Sequence, residues 1–277
     1  MKRWRLRFSS AGVEVARGRL PADRTTLLVG AMLVVVTVVA WAGVLTHAGV
    51  PSGDLAMHTS MSGGPQLAGA VGFVGVWVVM MAAMMLPSAA PLVLLYRVAG
   101  PGGHAVNTVP LVAGYLVTWA AFGALVYAAQ HALGAVTDAN PALGNAGPYA
   151  VVGILAIAGA YQFTPLKRAC LRKCRSPLDF LMQRWRGRGA FDALRLGAEH
   201  GAYCVGCCWG LMAVLVISGA MSLLWVVLIA LIVFIEKLMP FGERGAQLSG
   251  LGLGSLALLV AARPELSMLL RSSGPGM

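Results

Sequence analysis

The chain has 277 residues, of which 58% are hydrophobic and only 11% are charged. Soluble domains carry about 25% charged residues, so this composition excludes an ordinary soluble protein and indicates an integral membrane protein. The formal net charge is +11, but no glycine-rich phosphate loop or basic–aromatic interleaving accompanies it, and we therefore exclude nucleic acid as a partner.

Residues 1–24 form a basic tail, with seven Lys or Arg opposed by Glu14 and Asp23. The apolar run that follows is longer than the apolar region of a signal peptide, and no typical small-residue cleavage site ends it. We expect this run to remain as a membrane anchor. Because positive residues flank membrane spans on the cytoplasmic side, the tail is predicted to lie in the cytoplasm.

The sequence predicts an all-α, polytopic transmembrane helix bundle over residues 25–262. About 20 apolar residues cross a bilayer as a helix. Seven apolar runs predict seven spans, near residues 25–45, 67–97, 109–133, 149–165, 200–218, 222–235 and 246–262. This arrangement places the basic loop 166–198 in the cytoplasm, as the positive-inside rule requires. Residues 263–277 are expected to form a flexible C-terminal tail.

Three of the five cysteines, Cys204, Cys207 and Cys208, fall within five residues at the start of an apolar run. Positions three and four apart share one face of a helix, so these cysteines and His200 are predicted to form one stripe. Thiolate, thioether and imidazole are ligands of soft metal ions, with Cu(I) first and Zn(II) second. No second C-x-x-C pair follows at zinc-ribbon spacing, which favours copper over zinc.

Further candidate ligands lie at a matching predicted depth. The second span carries four methionines at helical spacing, which are consistent with a ligand role and with filling the core. Cys170 and Cys174 follow the fourth span. Glu199 is a candidate to orient His200, while Glu236 is expected to pair near Lys237 or with a basic loop residue rather than to bind metal. A weaker signal comes from Met57, His58 and Met61 of an outer loop. The predicted ligand set and its candidate neighbours are Cys204, Cys207, Cys208, His200, Met80, Met81, Met84, Met85, Glu199, Glu236, Cys170 and Cys174.

Several stretches resemble a bacterial family of predicted metal-binding integral membrane proteins, sometimes called copper chaperones. The resemblance covers residues 67–260 and is carried by residues 81–91 (MAAMMLPSAAP), 161–177 (YQFTPLKRACLRKCRSP), 197–212 (GAEHGAYCVGCCWGLM) and the pair Glu236 and Lys237. It implies metal binding in a multi-pass protein of the bacterial inner membrane, but it names no reaction.

Three functions are consistent with these features. The first is a membrane copper-handling protein that binds Cu(I) between spans two and five and passes it to a partner or across the bilayer. Its expected partner is a protein that donates copper to it or accepts copper from it. The second is a thiol oxidoreductase that uses Cys204 and Cys207, with Cys170 and Cys174 as a second pair. The third is a scaffold whose basic loop docks a partner or anionic lipid. No hydrolytic arrangement of residues is present, and we do not expect an enzyme of that kind.

Overall fold

The computed structural model describes residues 24–47, 66–99, 105–140, 147–185, 189–218, 223–263 and 265–266. Within these ranges all regular secondary structure is helical, as the sequence predicts. The tail 1–23, the outer-loop donors Met57, His58 and Met61, and residues 267–277 lie outside the described residues. The described helices are α1 (Arg24–His47), α2 (Gln66–Ala99), α3 (Ala105–Ala139), α4 (Gly147–Tyr161), α5 (Pro165–Arg175), α6 (Pro177–Arg184), α7 (Ala190–Ile217), α8 (Leu223–Leu238) and α9 (Gly242–Ala262).

Several of these helices are long and apolar enough to cross a membrane. In the described part of the chain five helices qualify, namely α1, α2, α3, α7 and α9. A sixth span is reached if α4 and α5, which meet at a bend of 63°, are taken together. Helix α8 has only 16 residues, fewer than the roughly 20 that cross a bilayer without distortion. The seven spans and the cytoplasmic N-terminus therefore stay predictions, while the helical membrane-protein class is supported.

The basic segment 166–198, predicted as a loop, is instead mostly helical. Thr164 caps the start of α5 by accepting a hydrogen bond from the backbone N–H of Lys167 at 3.2 Å, and Pro165 occupies the first turn. Both residues are typical of helix starts. After α6, helix α7 begins at Ala190 rather than near residue 200, because its first turns are too polar to register as part of an apolar run.

Helix α7 forms the centre of the bundle and packs most extensively against α3. Glycines allow their backbones to touch: a Cβ atom on Gly114 would lie 1.9 Å from the Leu194 carbonyl oxygen, and one on Gly197 would lie 1.9 Å from that of Leu111. Small residues permit this close approach between helices in lipid. Helix α2 packs against α1 and α3, and α5 packs against α7. Residues of α2, α3 and α5 therefore share one buried cluster with the cysteines of α7.

Candidate functional site

The central feature of the site is a buried cluster of thiols contributed by two helices. The Sγ atoms of Cys174 on α5 and Cys207 on α7 lie 3.9 Å apart, and those of Cys207 and Cys208 lie 3.3 Å apart. All three cysteines are buried and none forms a disulfide. The thiols of Cys207 and Cys208 each donate to the carbonyl oxygen of Cys204, at 3.2 and 2.9 Å. These backbone contacts fix where both sulfurs point.

Cys204 lies one turn earlier on α7, and its sulfur also contacts side chains of α3 and α8. Its Sγ atom is 2.7 Å from Nζ of Lys237 and 3.1 Å from the hydroxyl of Tyr115. The same Nζ atom is 3.4 Å from Oγ of Ser88 and 3.7 Å from Sδ of Met85. The buried ammonium group of α8 is thus contacted by residues of α2 and α7.

Sequence reasoning did not assign a role to Lys237. The signal that could have found it is an ionisable residue at the end of an apolar helix, because such residues are costly in lipid and mark functional positions by default. The sequence places Lys237 beside Glu236 but does not specify which way its side chain points in the bundle.

Glu236 forms a buried ion pair, as the sequence predicted. Its Oε2 atom lies 2.7 Å from Nζ of Lys167, which belongs to the basic segment and also donates to Gln162. Its Oε1 atom accepts a hydrogen bond from Ser249 at 2.8 Å. Both oxygens of Glu236 are therefore engaged in linking α5, α8 and α9.

His200 is buried, but it faces aromatic rings. Its ring centroid is 5.1 Å from that of Phe180 and 6.0 Å from that of Tyr115, and its Nδ1 atom has no hydrogen-bond partner among the described residues. Glu199 accepts hydrogen bonds from Arg184 and Arg195. Among the described residues, therefore, no contact by which Glu199 would orient His200 is seen.

The four methionines of α2 are buried in the same core cluster as the cysteines of α7. Met85 alone among them has a described contact with the polar atoms of the site, through Lys237. Ligand roles for Met80, Met81 and Met84 stay predictions. Cys170 is only partly buried, and its sulfur lies against Gly206.

The thiol cluster offers a pair of ligands rather than a complete cage. No group of three or more His, Cys, Asp or Glu side chains in the described ranges is arranged to hold a metal ion. Two sulfurs bound at about 2.3 Å to one metal ion lie at most about 4.6 Å apart. The 3.9 Å between Cys174 and Cys207 satisfies this limit. In contrast, the 3.3 Å between Cys207 and Cys208 is short for two ligands of one tetrahedral ion, which lie about 3.8 Å apart.

Fold and site together define a helical protein of membrane-spanning character with buried soft donors. The model of the PpoB2 family, described as copper chaperone, matches residues 74–260, and the chain belongs to this copper chaperone family. The matched region includes all five cysteines and runs from α2 into α9. It confirms the family resemblance inferred from the motifs. Comparisons with curated proteins and with solved structures found no match.

Proposed function

We propose that this protein handles copper within the membrane and carries Cu(I) as its cargo on thiolates of α5 and α7. The observation that carries the proposal is the buried pair Cys174 and Cys207, whose sulfurs come from different helices and lie 3.9 Å apart. Membership of the copper chaperone family supports the identity of the cargo.

The chemistry of the donors favours Cu(I) over zinc. Thiolates are soft ligands, and the exclusion of water around them suits a soft monovalent cation. Structural zinc sites use four ligands in a closed tetrahedron, whereas no group of three suitable side chains is assembled in the described residues. Cu(I) accepts two sulfur ligands, and one helix-bridging pair of thiolates is sufficient for it.

Adjacent thiols provide a route for handing the ion on. Cys208 lies 3.3 Å from Cys207, so a bound ion can exchange one thiolate for the next without a change of oxidation state. The proposed partner is a protein that donates copper to this site or accepts copper from it. The apolar helices and their basic flanking segments support a multi-pass location in the bacterial inner membrane.

Thiol–disulfide exchange is the second candidate. The sequence suggested Cys204 with Cys207 and Cys170 with Cys174 as dithiol pairs, and the structure also brings the sulfurs of Cys174 and Cys207 to 3.9 Å from each other. Close thiols of this kind are candidates for reversible disulfide formation. Mass spectrometry of the protein isolated under thiol-trapping conditions tests this function, because a redox enzyme would be recovered partly with a Cys174–Cys207 disulfide.

The copper proposal is tested by titrating the detergent-solubilised protein with Cu(I) under reducing conditions, in the presence of a competing Cu(I) chelator. Cys174→Ser and Cys207→Ser should each lose the tightest-bound equivalent of copper. Cys170→Ser is the matched control, since it removes a thiol from the same helix as Cys174 but outside the cluster, and should retain that equivalent. Copper binding that survives both cluster variants would overturn the proposal.

A further inference from the structure

The ammonium group of Lys237 lies where soft donors from two helices converge. Its Nζ atom is 2.7 Å from the thiol sulfur of Cys204 on α7 and 3.7 Å from the thioether sulfur of Met85 on α2. The hydroxyl of Ser88 lies 3.4 Å from the same Nζ atom. Lys237 is only 5% exposed. A cation is therefore held inside the bundle by the ligand types that bind Cu(I).

No carboxylate balances this cation in the described part of the chain. The neighbouring residue Glu236 binds Lys167 and Ser249. The sulfur of Cys204 is thus the group beside Lys237 that can carry the compensating negative charge. Because an unpaired charge is costly in a buried site, the ammonium and a Cys204 thiolate stabilise each other. The hydroxyl of Tyr115, 3.1 Å from the same sulfur, supplies a further hydrogen bond.

We propose that Cys204 and Met85 form a second Cu(I) position, which the Lys237 ammonium group occupies while copper is absent. This inference rests on the proposed function and adds a regulated step to it. Copper entering the position forms bonds to the two sulfurs as the N–H···S hydrogen bond of Lys237 breaks. One monovalent cation replaces another, no electron is transferred, and the ammonium group keeps its proton as it moves away.

The position of Lys237 in α8 makes such a movement feasible. Helix α8 ends at Leu238, one residue later, so the lysine lies in the last turn. A long lysine side chain in such a place can extend its charged end toward water while its methylene groups stay against apolar surface. Copper held by Cys204 would then be one helical turn from Cys207, the residue that shares the proposed cargo site with Cys174.

Lysine labelling of the wild-type protein tests the displacement. The detergent-solubilised protein is treated with an amine-reactive acylating reagent, with and without Cu(I), and the modified lysines are quantified by mass spectrometry. Labelling of Lys237 should rise several-fold when a second equivalent of Cu(I) is bound. Lys167 is the internal control, because it is equally buried but paired with Glu236, and its labelling should not change.

Two variants test whether the copper-dependent labelling of Lys237 depends on the proposed copper ligands. Cys204→Ser should abolish both the second equivalent of copper and the copper-dependent labelling of Lys237, while the equivalent that depends on Cys174 and Cys207 remains. Lys237→Leu should tighten the second equivalent by about tenfold or more, the effect of no longer breaking one charge-assisted hydrogen bond, and leucine adds no copper ligand of its own. The labelling experiment needs no variant, so it tests the proposal even if Lys237→Leu does not fold.

The outcomes separate the two proposals. If one equivalent binds through Cys174 and Cys207 but Lys237 labelling is unchanged at saturating copper, the second position is wrong and the proposed function stands. If copper does not bind at all, the proposed function is wrong, and the second position falls with it.

Discussion

The contact between α3 and α7 predicts a large effect of the smallest substitution at Gly197. A Cβ atom there would lie 1.9 Å from the carbonyl oxygen of Leu111 and 3.1 Å from the backbone nitrogen of Tyr115. Real Cβ atoms essentially never approach another heavy atom closer than 3.0 Å, so the helices would have to separate by about 1.1 Å, from 1.9 to 3.0 Å. Because the clashing atoms are backbone, no side-chain rotation relieves the contact.

The consequences of Gly197→Ala extend from the helix pair to the site. Overpacking typically costs about 1–3 kcal/mol of unfolding free energy. The separation would also stretch the contact between the Tyr115 hydroxyl and the Cys204 sulfur, now 3.1 Å, and the loss of a hydrogen bond adds about 1 kcal/mol. The higher helix propensity of alanine offsets about 1 kcal/mol of this loss, and the remaining loss of about 2 kcal/mol corresponds to a fall in Tm of about 4–8 °C for a chain of this size.

Thermal unfolding of the detergent-purified protein, followed by tryptophan fluorescence, measures this effect. Gly153→Ala is the matched control, since a Cβ atom on Gly153 of α4 meets nothing within 4 Å and alanine is the better helix former by about 1 kcal/mol. Its Tm should stay level or rise slightly. If Gly197→Ala melted together with the wild type, the close backbone contact between α3 and α7 would be refuted.

Three further predictions concern single side chains of the site. Lys167→Met should lower the unfolding free energy by about 3–5 kcal/mol, because it leaves Glu236 buried and unpaired. Adding Glu236→Gln to this variant should recover much of the loss in a thermal unfolding assay. Equal destabilisation by the single and double variants would contradict the pairing of Lys167 with Glu236. Glu199→Gln should change stability by less than about 1 kcal/mol in the same assay, because its arginine partners are partly exposed, and a larger loss would show a structural role. Met85→Leu conserves volume and should cost less than about 1.5 kcal/mol while weakening the second equivalent of copper in a chelator competition; unchanged copper affinity would exclude the thioether as a ligand.

Much of the helix layout could be predicted because apolar runs of membrane-crossing length are a strong signal. In the structure the α7 cysteines and the α2 methionines belong to one buried core cluster. Helices α5 and α6 were missed because their charged residues hide them from a search for apolar runs, although α5 buries Leu171 and Cys174 on one face. Those missed helices supply two partners of the site, since α5 contributes Cys174 and α6 contributes Phe180, which packs on His200.

The contacts of Lys237 could not be predicted from the sequence, because they depend on tertiary structure. Consecutive residues of a helix point about 100° apart, so Glu236 and Lys237 must face different neighbours. Which neighbours these are depends on how α8 is rotated between α2, α5, α7 and α9, and no local pattern specifies that rotation. In the structure Glu236 faces Lys167 while Lys237 faces Cys204. Although they are adjacent in sequence, Glu236 and Lys237 therefore contact different helices.

X-ray absorption spectroscopy of the purified protein loaded with one equivalent of copper tests the central claim most directly. A Cu(I) ion bound between α5 and α7 should show a cuprous edge and a shell of sulfur neighbours at bonding distance, and Cys207→Ser should remove sulfur from that shell. A shell made only of nitrogen or oxygen, or a sulfur shell unaffected by Cys207→Ser, would contradict the binding of copper at this pair of helices.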